Sequence, residues 1–356
     1  MKIGILTFHW ATNYGAVLQC YALQTYLESL GHEVKVINYK PNQLATKISL
    51  ILHSRSWLEI KSAIITTPKE RALQKFREEN LHLTHRLYSC AQIPKEIDQM
   101  DVIISGSDQV LSTSFLTNGD GKNKFTPSYY LGFPFNGKKI TYAASFGCTK
   151  YPENLINRVR GYVAELDYIG VREATGEHIM MELGRNDSVV VPDPTLLLSN
   201  KYYINLANNC NKKLLDNYVY CFFIRNIEDR RLRISNVISS HKVWNNDDNE
   251  YSLEGWLKNI KEAKFVITDS FHCVMMCLQF HINFVVITEV KGNEGMNDRL
   301  YTILGKLSLS NHIVFKGDLH KIPQLLDDYI EWDFIDKKLS DIRDTGISFF
   351  NKCLNK

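Results

Sequence analysis

The sequence lacks three features that would have pointed to common classes of protein. Its eight cysteines form no C-x-x-C pair, and scattered thiols are typical of a reducing cytosol rather than of a disulfide framework. No uninterrupted apolar run approaches the roughly 20 residues that a membrane-spanning helix needs. The amino terminus, MKIGILTFHW, has no small-residue cleavage site, so we interpret it as a first strand and not as a signal peptide.

An excess of charge of one sign is also missing. The net charge of +3 and the pI near 8.3 are too mild for a nucleic-acid partner, although they suit a site for acidic small molecules. A hydrophobic content of 44% and a charged content of 23% are typical of a globular protein. We therefore expect a cytoplasmic protein, with peripheral contact at the inner face of the membrane left open.

The first predicted unit lacks the glycines of a dinucleotide site. Lys2 to Phe8 predicts a buried strand and Ala16 to Leu30 predicts a helix, with a second strand after it. The turn between them holds the single Gly15 where G-x-G-x-x-G needs three, which excludes NAD or FAD binding by that motif. Asn13 and Tyr14 stand just before the helix, and two roles are open for them. Either both contact a substrate, or Asn13 only caps the helix.

The stretch FVITDSFHCVMMCLQFH, residues 265–281, predicts a strand, a polar elbow and a buried helix. Open α/β sheets bind ligands at such elbows, where the helix presents unpaired N–H groups that favour an anion. His272 would stand in the first turn of this helix and titrate near neutral pH. The alternative is that Asp269 or Ser270 is only an N-cap and His272 a surface histidine. Cys273 and Cys277 lie four residues apart, but we expect no metal site because a four-ligand set is missing.

A further predicted strand ends in polar residues. Asp101 to Ser105 leads into Gly106, which lets the backbone approach a ligand closely. Asp108 and Gln109 follow, and Asp108 is a candidate acid, base or hydroxyl-binding group; its alternative role is a local cap of the next segment.

Two arginines are candidate anion clamps, because a planar guanidinium matches carboxylate and phosphate. Arg172 follows a predicted strand, and its alternative role is a salt bridge with Glu173 or Glu177. Arg299 ends the polar loop that starts at Lys291.

The length of 356 residues exceeds what one hydrophobic core usually serves, so we expect two α/β domains. The first covers residues 1–195. It has an insertion at about 41–94, which contains a predicted helix from Lys69 to Asn80. A strand is predicted after the insertion, at Tyr129 to Phe133. The second covers 196–330 and begins with a linker through Ser199 to Asp216. Residues 331–356 form a helical tail. Polar groups at strand ends in both domains suggest a cleft between facing sheets.

Six strings occur in order along the chain: TFHWATNYGAVLQCYAL, DVIISGSDQV, YAASFG, VREATG, DPTLLL and ITDSFHCVMM. Together they resemble the polysaccharide pyruvyl transferase family, from Met1 to about Leu307. The resemblance implies a GT-B-like pair of Rossmann-type domains. From the residue pattern of the tail we also expect the C-terminal helix to pack back on the first domain. The resemblance also implies transfer of the pyruvyl group of phosphoenolpyruvate to two hydroxyls of a hexose, forming a cyclic ketal and releasing phosphate. The acceptor would be a bacterial capsule or exopolysaccharide, or its lipid-linked oligosaccharide precursor, and no cofactor is expected.

The resemblance and the strand-end positions together sort the candidate residues into three roles. The expected catalytic residues are His272, as the acid, and Asp108. The expected donor-binding residues, in the second domain except for one, are Arg172, Ser270, Phe271, Arg299 and Lys291. The expected acceptor-binding residues, in the first domain, are Asn13, Tyr14, Gly15, Gly106 and Gln109.

The chain departs from the family pattern near the histidine. Several members carry arginine where this chain has Ser270, and glycine with a small residue where it has Cys273 and Val274. Side chains there would crowd a donor at the helix start. Two other functions therefore stay open: a glycosyltransferase that uses a nucleotide sugar, and a non-catalytic glycan-assembly protein.

Overall fold

The computed structural model describes residues 1–40, 67–238, 242–245, 251–292 and 297–354. Most of the first half of the predicted insertion therefore lies outside the described residues. The chain divides into two compact units. Unit 1 comprises Met1–Pro194 and Phe349–Lys356, and unit 2 comprises Thr195–Ser348. The acceptor and donor roles expected of the two domains stay predictions.

Unit 1 contains a sheet of six parallel strands in the order β2-β1-β3-β4-β5-β6. Near-continuous apolar runs form these strands because helices cover both faces of a parallel sheet. The strands are β1 Lys2–Leu6, β2 Glu33–Val36, β3 Val102–Ser105, β4 Lys138–Ala144, β5 Tyr168–Val171 and β6 Val189–Val190. The helices are α1 Tyr14–Ser29, α2 Pro68–Asn80, α3 Ile93–Glu96, α4 Thr113–Asn118, α5 Glu153–Ala164 and α6 Ala174–Glu182.

The predicted strand at Tyr129 to Phe133 is wrong. Ser128–Tyr130 forms a short 3-10 helix after Pro127, whose ring restricts the backbone. Leu131 then takes a φ of 52°, a left-handed conformation that ends any extended run. Tyr129 and Tyr130 are buried, so their apolar character reflects packing in the core and not pairing in the sheet.

Unit 2 contains a sheet of five parallel strands in the order β11-β10-β9-β7-β8. The strands are β7 Val219–Phe222, β8 Val243–Asn245, β9 Phe265–Thr268, β10 Phe284–Thr288 and β11 Ile313–Phe315. The helices are α7 Asn200–Asn208, α8 Ile227–Val237, α9 Leu253–Lys261, α10 Phe271–Phe280, α11 Asp298–Lys306, α12 Ile322–Leu326 and α13 Trp332–Leu354.

The predicted linker through Ser199 to Asp216 is wrong in its first half, where α7 forms. Tyr203, Leu206 and Ala207 recur at helical spacing and are buried. They pack α7 against α9, so this stretch is part of the second core.

The last residues of α13 belong to unit 1. The ring of Phe350 stacks on that of Tyr142 in β4, with centroids 4.4 Å apart. Lys138 Nζ donates a hydrogen bond of 2.9 Å to the carbonyl of Cys353. The end of the C-terminal helix therefore packs on the first sheet, as expected. Across the described ranges, no helix is long and apolar enough to cross a membrane.

Candidate active site

One pair of neighbouring strands in each sheet marks the point where the strand order reverses. The pair is β1 and β3 in unit 1, and β7 and β9 in unit 2. Open parallel sheets bind ligands at the carboxyl ends of such a pair, because the two following connections leave in opposite directions. The loops after these four strands are therefore where ligands are expected.

Arg172, predicted as an anion clamp, is buried in unit 1 beside three carboxylates. Its guanidinium nitrogens lie 3.4 Å from Asp193, 3.6 Å from Glu173 and 4.0 Å from Asp108. Burial favours a lower pKa for Arg172, but the three carboxylates outweigh burial and raise this pKa above its ordinary value. The structure thus contains the ion pair with Glu173 that was the alternative role, and donor binding by Arg172 stays a prediction.

Ser107 and Asp193 complete this buried group, and neither was predicted from the sequence as a site residue. Ser107 Oγ donates a hydrogen bond of 2.8 Å to Asp193 Oδ2, and Arg172 donates to the same Oγ at 3.4 Å. A signal was present, since Ser107 follows β3 in GSDQ and Asp193 follows β6 in DPT. Polar residues at strand ends are the positions that meet at one edge of a parallel sheet.

Asp108 has a backbone conformation that is rare for a residue with a side chain. Its φ is 80°, and such strain persists where the surroundings hold it. Its carbonyl accepts from Ser145 N at 2.9 Å, and its Oδ1 accepts from Gln109 N at 2.8 Å. The carboxylate therefore makes the local cap proposed as its alternative role, while it also lies 4.0 Å from Arg172. Its catalytic role stays a prediction.

Gly106 and Gln109, predicted to bind the acceptor, lie on either side of this strained residue. Gly106 N donates to Leu6 O at 3.0 Å and so extends the β1–β3 pairing by one residue. Gln109 is half-buried beside Gly147, where an added Cβ would come within 3.0 Å of Gln109 Cδ. The backbone of Gly106 is thus at the reversal point of the sheet, while Gln109 lies against the loop after β4. Acceptor binding by both residues stays a prediction.

The other predicted acceptor residues form the start of α1. Asn13 Oδ1 accepts from Gly15 N at 2.9 Å and from Ala16 N at 3.3 Å, which is the capping role that the sequence left open. Tyr14 is buried, with Lys69 Nζ 4.1 Å from the centre of its ring. The oxygen of Asn13 is therefore used by the helix, and acceptor binding by these residues stays a prediction.

His9, in the loop after β1, is a buried titratable residue that was not among the predicted site residues. Its Nδ1 lies 3.2 Å from the carbonyl of Thr7 and its Nε2 lies 3.2 Å from Asn38 Oδ1. Burial lowers the pKa of His9 to about 4. The ring is therefore neutral at pH 7, so it stabilises the loop without adding a charge.

In unit 2, Asp269 joins the ends of β7 and β9. Its Oδ1 accepts from Ile224 N at 2.7 Å, its Oδ2 accepts from Arg225 N at 3.1 Å, and Arg230 lies 3.0 Å away. Burial raises the pKa of Asp269 above its ordinary value, although Arg230 and the two amides oppose the rise. Asp269 therefore links the ends of β7 and β9 and holds the backbone of Arg225 at the reversal point of the second sheet. Arg225, which directly follows FFI, was not predicted as a site residue.

Ser270 and His272 occupy the positions predicted for them at the start of α10. Ser270 caps the helix, since its Oγ accepts from Cys273 N at 3.4 Å, so the capping alternative holds for Ser270 and not for Asp269. His272 stands in the first turn but is only 6% exposed, so the alternative of a surface histidine is wrong. Its ring meets the ring of Phe271 edge-on, with centroids 5.2 Å apart.

The two remaining donor-binding candidates lie in different places. The Arg299 guanidinium is 5.2 Å from the centre of the Phe271 ring, beside the start of α10. Lys291 is exposed, with its Nζ 5.3 Å from the centre of the Phe315 ring at the end of β11. Because β10 separates β11 from β9, that contact is made at a strand that is not a neighbour of β9. Ser270, Phe271, His272 and Arg299 are thus brought together, and Lys291 is not.

A second charged group lies beside Asp269. Arg230 pairs with Glu289 as well as with Asp269, and Lys316 Nζ donates to Glu289 at 2.8 Å. The hydrogen bond from Lys316 and the nearby Arg230 lower the pKa of Glu289 to about 2. A cavity of about 230 Å³ opens here, lined in part by Arg230, Glu289 and Lys316. Of the residues that can be described, no three His, Cys, Asp or Glu side chains are grouped so that they could hold a metal ion.

Solved structures with the same architecture define the fold class of the chain. The UDP-GlcNAc 2-epimerase of Methanocaldococcus jannaschii is 13% identical, with 96% of this chain and 99% of that chain covered and a TM-score of 0.50. The S. aureus MnaA–UDP complex is 10% identical, with 99% and 97% covered and a TM-score of 0.52. A glycosyltransferase from Rickettsia africae is 11% identical, with 98% and 94% covered and a TM-score of 0.50. The predicted class, an α/β protein with two Rossmann-like domains of GT-B type, is confirmed.

The particular family follows from the sequence. The profile of the polysaccharide pyruvyl transferase family matches residues 13–289, which is more than half of the chain, so the chain belongs to this family. Membership implies a transferase that acts on a sugar acceptor. A search of curated proteins finds no match.

Proposed function

We propose that this protein transfers the pyruvyl group of phosphoenolpyruvate to two hydroxyls of a hexose in a surface polysaccharide or its lipid-linked precursor. The products are a cyclic ketal and phosphate. Family membership over residues 13–289 supports transfer chemistry on a sugar. The observation that carries the proposal is the position of His272, buried in the first turn of α10 at a strand end of the second sheet.

The start of α10 offers what the donor needs. Phosphoenolpyruvate carries a phosphate and a carboxylate, and helix N-termini favour anions through their N–H groups and the dipole. Arg299, held against Phe271, adds a positive charge beside this end. The proposed donor-binding group is therefore Ser270, Phe271 and Arg299, and Arg225, whose backbone is held at the reversal point of the same sheet, is a further candidate.

His272 is the proposed acid. Protonation of the methylene carbon of phosphoenolpyruvate makes the neighbouring carbon electrophilic, and a sugar hydroxyl adds to it. Loss of phosphate and addition of the second hydroxyl then close the ketal. A positioned acid or base of this kind contributes about 10²- to 10⁴-fold to the rate. In unit 1, Asp108 is the proposed acceptor of the hydroxyl proton, and its strained φ of 80° is typical of a functional position.

The location of the reaction is part of the proposal. The eight cysteines, all within the described residues, are free thiols, which supports a reducing cytoplasm. A lipid-linked acceptor would bring the protein to the inner face of the membrane peripherally.

Calorimetry with phosphoenolpyruvate tests the donor, with UDP-GlcNAc as the competing ligand. We expect phosphoenolpyruvate to bind, and phosphate to be released when a suitable oligosaccharide acceptor is added. His272→Asn should lower the rate of phosphate release by at least about 100-fold. His281→Asn is the matched control, because His281 lies at the other end of α10 with a φ of 56°, a conformation that asparagine tolerates. Binding of UDP-GlcNAc but not of phosphoenolpyruvate, or full turnover by His272→Asn, would contradict the proposal.

A further inference from the structure

Trp10 stands in the loop after β1, at the reversal point of the first sheet. The residues before it, from Thr7 to His9, are buried, but Trp10 itself is half-buried. Its ring lies 5.8 Å from that of Phe8 and 6.3 Å from that of Phe115, centroid to centroid. Trp10 therefore keeps an accessible part of a large aromatic surface at the edge where ligands of such sheets bind.

The orientation of this ring is held by a hydrogen bond. Trp10 Nε1 donates to the hydroxyl of Tyr129 at 3.2 Å. Tyr129 is 1% exposed, and its ring packs edge-on against Phe8 with centroids 5.0 Å apart. The partner of the indole is thus fixed in the core, so the indole has a defined orientation before any ligand arrives.

The backbone on both sides of Trp10 is held by one buried guanidinium. Arg77 of α2 is 2% exposed and donates from NH1 to the carbonyl of His9 at 3.4 Å and to that of Ala11 at 3.3 Å. Burying an arginine is costly unless its donors are satisfied. A residue whose neighbours on both sides accept from the same buried cation is positioned rather than mobile.

The helix that carries Arg77 is tied to the loop a second time. Arg77 NH2 donates to Glu70 Oε1 at 2.7 Å. The hydroxyl of Thr12, two residues after Trp10, donates to Glu70 Oε2 at 2.6 Å. One carboxylate thus links the loop to the arginine that holds it.

We propose that Trp10 is the platform on which a sugar ring of the acceptor stacks, and that Tyr129 and Arg77 position it. This inference rests on the proposed function and names the ligand class of its acceptor side. The C–H face of a hexose is apolar and matches an aromatic ring, and binding sites combine such surfaces with a few polar groups. Lys40 Nζ lies 6.0 Å from the centre of the indole, where it can donate to sugar hydroxyls. A rigid aromatic surface loses little conformational entropy when it binds.

The test measures sugar binding without phosphoenolpyruvate. The methyl pyranosides of glucose, galactose and mannose are titrated at millimolar concentration, with calorimetry and tryptophan fluorescence as readouts. We expect at least one to bind, and Trp10→Ala to weaken that binding about tenfold, the size of loss typical of a central aromatic contact. Trp10→Phe should lose less because it keeps an aromatic face. Trp244→Phe is the matched control, because Trp244 is a half-buried tryptophan with Lys212 Nζ 4.8 Å from its ring centre in unit 2.

The positioning residues need a readout of their own. Tyr129→Phe removes only the hydroxyl, so we expect about a threefold rise in the KM for a sugar acceptor with kcat unchanged. Arg77→Lys keeps the charge but cannot bridge both carbonyls in the same geometry, and we expect the same separation of KM from kcat. Equal effects on KM and kcat would mean that the two residues do more than position Trp10.

The outcomes separate this inference from the proposed function. Unchanged sugar affinity in Trp10→Ala, or no binding of any of the three glycosides to the wild-type protein, overturns the platform. Phosphoenolpyruvate binding is measured independently on the same samples and also reports correct folding of the variants. If the wild-type protein did not bind phosphoenolpyruvate, the proposed reaction would be contradicted. Sugar binding that depends on Trp10 would still support the platform.

Discussion

The Arg172 guanidinium lies 3.4 Å from the carboxylate of Asp193, and the two side chains are only 2% and 0% exposed. With Glu173 and Asp108 also within 4.0 Å, this arginine compensates several negative charges at the edge of the first sheet. A residue in this environment stabilises unit 1 whether or not it also contacts the donor. Loss of activity after its removal would therefore not by itself demonstrate donor binding.

Replacement of Arg172 by methionine should strongly destabilise the protein. Arg172→Met leaves three carboxylates close together and partly or wholly buried, and we expect a loss of about 3–5 kcal/mol in the free energy of unfolding at pH 7. Adding Asp193→Asn should restore part of the loss because it removes one of those charges. Urea denaturation gives the values.

The control is Arg233→Met. Arg233 pairs with Asp229 at 2.9 Å, but both side chains are 58% exposed, so the cost should stay below about 1 kcal/mol. If Arg172→Met proved as stable as the wild-type protein, the buried group would not hold unit 1 in the way described.

The burial of His9 should make the protein lose stability in mild acid. Its pKa falls from 6.5 to about 4 on folding, so between these two values the unfolded chain binds the proton more readily. Stability is therefore complete above pH 6.5 and falls as the pH drops toward 4, by up to about 3 kcal/mol. His9→Gln should flatten this part of the stability curve, measured by thermal unfolding across the pH range. The control is His85→Gln, at an exposed histidine, which should leave the dependence of stability on pH unchanged. A wild-type protein whose stability does not fall between pH 6.5 and 4 would contradict the prediction.

Glu289 should contribute in a lower pH window. Its pKa is lowered from 4.5 to about 2, so its contribution is present above pH 4.5 and is lost as the pH falls through about 2. Since the side chain is 29% exposed, we expect about 1–2 kcal/mol at neutral pH. Glu289→Gln should remove it, as measured by urea denaturation at pH 7. The control is Glu228→Gln, because Glu228 pairs with Arg231 but is 89% exposed. Equal losses of stability in the two variants would mean that Glu289 contributes no more than an exposed ion pair.

The cap of α10 can be separated from its proposed role in donor binding. Ser270→Ala removes the acceptor for Cys273 N and should cost about 0.5–1 kcal/mol of stability. Ser252→Ala removes the corresponding cap of α9, where Ser252 Oγ accepts from Gly255 N at 2.9 Å, and should cost at least as much. By the proposed function only Ser270→Ala should also weaken phosphoenolpyruvate binding, as measured by calorimetry. Equal donor affinity in the two variants would remove Ser270 from the donor site.

Local sequence patterns determined most of the elements of this fold. The strand Phe265–Thr268 lies where the apolar run predicted it, and the helix with His272 in its first turn begins at Phe271. Such features follow from hydrophobic periodicity and capping residues within a short window. Two predictions were wrong. At Tyr129, apolar residues that are buried in the core were interpreted as a strand of the sheet. In α7, the buried residues lie among polar ones, so the helix was interpreted as a linker.

Only the tertiary structure decided the partners of the candidate residues. Ser107 and Asp193 lie 65 and 21 residues from Arg172 in sequence, yet parallel pairing brings their strand ends to one edge of the sheet. In the same way, Arg77 reaches the loop around Trp10 from 66 residues away. A sequence pattern shows which residues end a strand, but the order of strands in the sheet determines which of these ends meet, and that order depends on packing of the whole chain.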